Sequence, residues 1–540
     1  MFDLIKITPD KLKDKNMFDV IIKNGVIIDG SGKSMYRGDV GIKDDEISEI
    51  GELSNDKAEI EIDAEGKYVT PGFIDVNNHS DTKWRIFTDP NLKSLIYQGI
   101  TTIIGGNCGS SLAPLDNSEM IKSIRKWLDV TKININWVTM KEFFKEVDRI
   151  KLSVNFGTLV GHSTVRRGII GDSTRDLEEI ELRELKKIIE KSLKDGALGL
   201  SAGLVYSHAK LASKKELREL ANLVFSRGKI YTAHIREESV SILKSIDEVI
   251  EIAKKTNVKL QISHLKIMGE KNWPFADKVL AKIDKAREEG VNIGFDVYPY
   301  TATGSVLYTF LPDWVSKGGR KMMISRLKDA DIRKKIINEM KADSIDYKKI
   351  IVSVHSFNKT VMRKTVADIS KAQSKGIEET IIDLLISTNG RITTITKILS
   401  EENLNKFIKH PLSIISSNGS GYGISHKNSG DLVHPRDFGS FPKILSCYVK
   451  KKGLLEWEEA INKMTGKPAE RFNIKKRGLI KKGNFADIAV IDPEMIEDKA
   501  TIDKPYQYAT GIDYVLVNGK VAIEKGEYTE MRNGEIITYK

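Results

Sequence analysis

The spacing of apolar positions changes twice along the chain. From Phe18 to about Val69 they fall in short runs broken by Gly and Asp, such as Asp19-Val-Ile-Ile22, Val26-Ile-Ile-Asp29, Gly38-Asp-Val-Gly-Ile42 and Ile47-Ser-Glu-Ile-Gly51. This is strand-type patterning, and no helix of ordinary length fits it. The same texture returns in Gly483–Asp492, Tyr514–Gly519 and Val521–Glu524. Neither end carries enough apolar residues to fold well alone. The pattern therefore predicts one small β-domain built from both termini, over residues 17–70 and 471–540.

Between the two ends, strands alternate with amphipathic helices. Strands are predicted at Phe73–Val76, Thr101–Ile104, Val154–Val160, Leu198–Ser201, Ile230–His234, Val258–His264, Val291–Asp296 and Pro411–Ser416. Helices are predicted at Leu177–Asp195, Lys215–Ser226, Val240–Lys255 and Ala276–Glu289. Eight strands with helical crossovers make an α/β chain and argue for a TIM-like (β/α)₈ barrel over residues 71–470. The stretch from about 311 to 410 reads as mostly helical and is longer than one crossover needs. It is expected to be an insertion covering the barrel mouth.

Composition narrows the class. The chain has 540 residues, more than one hydrophobic core usually organises, which agrees with a large domain plus a small one. The net charge of +11 is spread over many lysines, with no basic stripe interleaved with aromatics, so nucleic acid is not an expected partner. Only Cys108 and Cys447 are present, too few for a disulfide framework. No apolar run approaches the roughly 18 residues of a membrane span. Met1–Asn16 has no signal-peptide pattern and reads as an N-terminal extension, with Met17 as an alternative start. A cytoplasmic protein is expected.

Candidate chemistry gathers at strand ends. The apolar run Phe73-Ile-Asp-Val76 stops abruptly at Asn77, Asn78, His79 and Asp81. Three further strands run into metal-capable side chains: Cys108, His234 and His264. In a barrel all strand C-termini meet on one face, so these residues and His79 are expected to share a centre. One Cys and two His form a competent zinc set with a fourth position for water or substrate. Such an ion would acidify the water and polarise a carbonyl.

The chain resembles the D-aminoacylases (N-acyl-D-amino-acid deacylases) of the amidohydrolase superfamily, from Met17 to the C-terminus. The resemblance rests on Pro71–Asp75, Gly105–Gly109 with Leu112–Leu115, Val160–Thr164, His234–Glu238, Ser263–Gly269, Asp296–Tyr300, His434–Arg436, Lys463–Gly466 and Gly483–Asp487. It implies a metal-dependent (β/α)₈ barrel with a small β-sandwich domain built from both termini, and hydrolysis of the linear amide of an N-acyl-D-amino acid. It places a tightly held Zn²⁺ on Cys108, His234 and His264, and a weaker second metal on His79 and the residue two before it. It places substrate contacts on Lys266, Tyr206, Tyr298 and Arg436. Arg436 and Lys266 suit a carboxylate, and tyrosine hydroxyls suit the amide or its developing oxyanion.

Two positions depart from the family pattern. Its first-strand His-x-His is here Asn77-Asn78-His79, and its catalytic Ser-Asp-Gly is Ser417-Asn418-Gly419. An amide cannot accept a proton from water, so Asn418 cannot be the general base. Asp81, His426 or His434 are alternative proton acceptors, and the Asn418-Gly419 pair could deamidate to aspartate. The expected activity is therefore a zinc amidohydrolase weakened at Asn77 and Asn418. The alternatives are a silent homologue kept for binding or assembly, and an opener of cyclic amides.

Overall fold

The computed structural model describes residues 17–538 except 116, 118–119, 121–134, 172, 174, 207, 343–344 and 356–358. The expected extension over residues 1–16 lies outside the described residues.

Eight parallel strands form the barrel. They are Phe73–Asp75, Ile100–Gly105, Asn155–Thr158 continuing as Val160–Gly161, Gly199–Gly203, Ile230–His234, Lys259–Ile262, Ile293–Val297 and Ser413–Ile415. Each coincides with a strand expected from the sequence. The third strand changes partner at Leu159, whose N–H donates to Gly105 O while Leu200 pairs with Val160. The ring closes through separate hydrogen bonds rather than a ladder. Ser417 N and Oγ both donate to the Asp75 carboxylate, and His79 N donates to Gly419 O at 2.7 Å.

The crossover helices follow their apolar stripes. Glu179–Lys194 buries Leu182, Leu185, Ile189 and Leu193, one face of a 3.6-residue repeat. Helices Lys214–Ser226, Ile242–Thr256 and Ala276–Glu288 lie within two residues of their expected ends. Beneath the ring, Ile74, Ile104, Leu198, Ile230 and Ile414 pack on Phe472 and fill the lower end with apolar side chains.

Strands from both ends of the chain form one nine-stranded sheet. Two runs expected as separate strands, at Asp19 and Val26, are a single strand Phe18–Ile27 with a register shift between Ile22 and Gly25. Asn24 takes the left-handed conformation there (φ 62°), which lets the ladder continue past the extra residue. The first half of this strand pairs with Ala58–Asp63 and its last two residues with Tyr68–Pro71. The sheet thus forks at the bulge around a core of Val20, Ile22, Ile42, Val69, Ile488 and Leu516. Tyr68–Pro71 also pairs antiparallel with Ile488–Ile491 and leads into the first barrel strand through Gly72. A Cβ on Gly72 would lie 2.3 Å from the Thr101 side chain, so the close approach of these strands needs glycine.

The segment above the barrel, expected as a mostly helical insertion at about 311–410, carries strands as well as helices. Its elements begin at Ala302 with a three-stranded antiparallel sheet, Ala302–Val306, Ile392–Lys397 and Ile351–His355. Helices Gly319–Lys328, Ala330–Lys341, Val366–Gln373 and Ile377–Ser387 pack with it around a separate core that includes Leu307, Leu327, Ile336, Ile381 and Leu385. Helix Glu401–Lys409 instead packs on barrel strands Ile293–Val297 and Ser413–Ile415. Among the described residues no helix is long and apolar enough to cross a membrane.

Candidate metal centre and substrate cavity

The upper ends of the barrel strands and the segment above them enclose a cavity of about 1140 Å³. His79, Cys108, His234, His264, Asn418 and Arg436 face it from the barrel. Thr303–Val306, Tyr308–Leu311 and Arg391–Ile395 face it from above.

Cys108, His234 and His264 each offer a ligand atom, all within 4.8 Å of one another, and all three are buried. Cys108 Sγ lies 3.3 Å from His264 Nε2. Tetrahedral zinc with usual Zn–S and Zn–N bonds places such a pair about 3.6 Å apart, so this donor set fits the ion. The His234 and His264 rings are nearly perpendicular, with centroids 4.3 Å apart.

Each donor is fixed locally. His234 is the last residue of its strand, as expected. Cys108 lies on a turn beyond Gly105, rather than at the strand terminus itself. Gly106 N donates to Asp81 Oδ2, Asn107 Nδ2 to Ile104 O, and Gly109 N to Ser201 Oγ, which together anchor the turn. His264 follows the Lys259–Ile262 strand, and its N–H donates to Asp296 Oδ2 at 2.9 Å. Cys108 (φ 52°), His264 (φ 37°) and Asn418 (φ 48°) are all left-handed. All three residues line the one cavity.

Two carboxylates not singled out from the sequence organise the centre. Glu238 Oε1 accepts from Lys266 Nζ at 2.6 Å and lies 3.4 Å from His264 Nδ1, while Oε2 lies 3.4 Å from His234 Nε2. Burial raises its carboxyl, but Lys266 and His234 outweigh burial and hold it well below the usual range. Asp296 accepts from His264 N, Ser416 Oγ, Asn77 Nδ2 and Gln261 Nε2. Both lie inside stretches noted in the sequence, Glu238 four residues after His234 and Asp296 at a strand end. That placement was the available signal.

His79 Nε2 is 2.9 Å from Asn418 Oδ1 and 3.9 Å from Cys108 Sγ. Burial and the Lys83 charge push the imidazole down to about 3, so it is neutral. Asn77 turns to Asp296 rather than to His79, and its Oδ1 is buried without a partner. The Gly419 N–H, the nucleophile that deamidation of Asn418 needs, donates to Ser417 Oγ at 2.9 Å.

The other expected residues separate. Arg436 faces the cavity with Nε and Nη1 buried and unpaired, its guanidinium 5.1 Å above the Tyr298 ring. Tyr298 lies beneath Arg436 rather than among the cavity-lining residues. Tyr206 is on the cavity wall with its ring 5.4 Å from that of His234, and burial pushes its hydroxyl well above the usual range. Lys266, expected to grip a carboxylate, is already neutralised by Glu238.

Of the alternative proton acceptors, His434 has both ring nitrogens engaged, Nε2 with Ala302 O and Nδ1 with Arg436 N. Asp81 supports the Cys108 turn and does not line the cavity. His426 lines it, with Nε2 3.3 Å from both Arg85 Nη2 and Asp431 Oδ2.

The chain is similar to known proteins along nearly its whole length. Residues 61–348 and 436–523 match the amidohydrolase family, and residues 6–69 match the N-terminal domain of the urease alpha-subunit. The chain is 30% identical to N-acyl-D-glutamate deacylase of Alcaligenes xylosoxydans xylosoxydans over 93% of each chain. It is 29% identical to the D-aminoacylase of the same organism over 97% of this chain and 98% of the relative. A crystal structure of N-acyl-D-glutamate deacylase from Bordetella bronchiseptica, complexed with zinc and a phosphonate mimic of the tetrahedral intermediate, is also similar. It superposes with a TM-score of 0.82 at 28% identity, covering 97% of this chain and 100% of that one. A D-aminoacylase crystal structure gives 0.83 at 27% identity with the same coverage. The chain belongs to the amidohydrolase family, in its D-aminoacylase group, hydrolases of carbon–nitrogen bonds other than peptide bonds.

Proposed function

We propose that the protein hydrolyses the amide bond of N-acyl-D-amino acids or close relatives, releasing a D-amino acid and a carboxylate. The observation that carries this reading is the buried Cys108–His234–His264 set beside Arg436, whose unpaired guanidinium nitrogens face the same cavity. Cys108, His234 and His264 would hold one Zn²⁺, which supplies Lewis acidity to the amide carbonyl and to a water. His79, with Asn77 turned away, would give at most a weak second site.

Arg436 holds the substrate carboxylate through charge-assisted hydrogen bonds. Tyr206 stands on the wall beside His234 and is a protonated donor to the amide oxygen as charge develops there. Glu238 neutralises Lys266 and fixes the His264 ring. Asn418 Oδ1 can orient a water but cannot take its proton, so turnover is slow for this chemistry.

Restoring the carboxylate tests the reading. Zinc-loaded Asn418→Asp is expected to raise kcat on N-acetyl-D-amino acids by about 10²–10⁴, the usual range for general-base catalysis. No gain across a panel of such substrates, with zinc bound in both proteins, would sink it. One second reading has specific support: the amides at Asn77 and Asn418 suit a chain that binds N-acyl amino acids without turning them over. Tight ligand binding with no turnover in the native chain, and turnover in Asn418→Asp, would select it.

A further inference from the structure

The cavity wall on the Asn418 side gathers two cations besides Arg436. Lys83 lies one turn beyond His79, its N–H donating to His79 O at 3.0 Å. Its ammonium pairs with no carboxylate among the described residues and lies 5.8 Å from the centre of the Tyr422 ring. The Arg85 guanidinium stacks on the same ring at 4.6 Å, and its Nε is buried without a partner. Arg436 adds the third cation, with two unpaired nitrogens. Lys83, Arg85, Tyr422 and Arg436 all line the cavity.

The available counter-charges do not balance this group. Asp431 is the carboxylate facing this part of the cavity, and it is engaged 3.3 Å from His426 Nε2. Asp437 lies behind the wall, accepting from Ser420 N at 2.8 Å. Lys266 shows the contrast: across the cavity its charge is met directly by Glu238. Desolvated cations with unmade hydrogen bonds are costly to fold around unless a ligand supplies the anion.

We propose that Lys83 and Arg85 form a second anion subsite, so that the preferred substrate is a dianion. Arg436 takes the α-carboxylate, and the Lys83–Arg85 pair takes a further carboxylate on the side chain or on the acyl group. This assignment rests on the amide-hydrolase reading above.

Two pairs of near-isosteric ligands test it on the zinc-loaded protein, by calorimetric binding and by kcat/KM. N-acetyl-D-glutamate is compared with N-acetyl-D-glutamine, and N-succinyl-D-alanine with N-butyryl-D-alanine. Each pair keeps the α-carboxylate and changes only the second charge. A hydrogen-bonded buried charge predicts a preference of about ten- to a hundredfold for the anionic member of at least one pair. The first pair reports a side-chain source and the second an acyl source.

In Lys83→Met the preference should fall towards unity, and a preference that survives both there and in Arg85→Gln overturns the residue assignment. If either variant fails to fold, the native-chain ratios still decide. Ratios near one in both pairs, with the neutral members bound and hydrolysed, overturn the subsite and leave the amide-hydrolase reading standing. No binding or turnover of any of the four overturns that reading and this inference together.

Discussion

Glu238→Gln is the substitution whose effect follows most directly from the geometry. The carboxylate touches Lys266 Nζ at 2.6 Å and lies 3.4 Å from both His234 and His264, with Lys266 and Glu238 side chains only 7% and 5% exposed. Coulomb's law at an effective dielectric of about 20 gives roughly 6 kcal/mol for a pair this close. Removing one partner of a buried pair usually costs about 3–5 kcal/mol, because the other charge remains buried. Glutamine keeps an acceptor for Lys266, so a loss near 3 kcal/mol is expected in the metal-free protein, measured by denaturant unfolding. The imidazoles also lose the group that fixes them, and such losses usually weaken metal binding by about 10–100-fold. Zinc competition against a chromophoric chelator reads this directly. Glu237→Gln is the control, since Glu237 bonds Ser239 and Ser241 and not the imidazoles. Zinc affinity within threefold of the native chain, together with unchanged unfolding, would refute the role given to Glu238.

Other consequences can be checked separately. Gly72→Ala puts a methyl group 2.3 Å from Thr101 where two strands meet, and a loss of about 1–3 kcal/mol is expected in thermal or denaturant unfolding. Arg477 and Asp487 form a buried pair that ties the small domain to Asn155 of the barrel, so Asp487→Ala should cost about 3–5 kcal/mol; an unchanged midpoint would contradict this. Burial pushes the Asp75 carboxyl up to about 6. A raised folded-state pKa contributes stability that is fully present below the unfolded value and lost as pH rises through about 6. The advantage of the native chain over Asp75→Asn should therefore be largest below pH 4 and shrink between about pH 4 and 6, and a difference constant with pH would count against it.

Much of the barrel was legible because strand and helix periods differ and several strands run into polar residues, as at Asn77, His234, Ser263 and Ser416. Cys108, His234 and His264 could be read for the same reason: strand ends on one face converge whatever the loops do. The forked strand Phe18–Ile27 was not legible, because a bulge keeps both halves in the sheet while breaking the alternation that marks one strand. Glu238 was missed because its role depends on a loop bringing it back over two imidazoles. The same fact changes Lys266, which reads as a free cation in sequence and is half of a buried pair in space. Lys83 and Arg85 looked like ordinary charges after a strand. Only the cavity walls show that no carboxylate among the described residues pairs with them directly.

The way the small domain is assembled also sets an order on synthesis. Thr70 bonds Ala489, 419 residues later, and the Tyr68–Pro71 strand has no other long ladder to shelter in. At roughly 5–20 residues per second, the first strands leave the ribosome about 20–80 seconds before their partners exist. During that interval Val69, Ile27 and Ile22 lack Ile488, Val490 and Leu516, the late part of the core they share, while the barrel strands in between are still being made. Nascent chains of this protein are thus expected to engage chaperones through their first seventy residues. The final strands to be translated are those that allow the earliest to be buried.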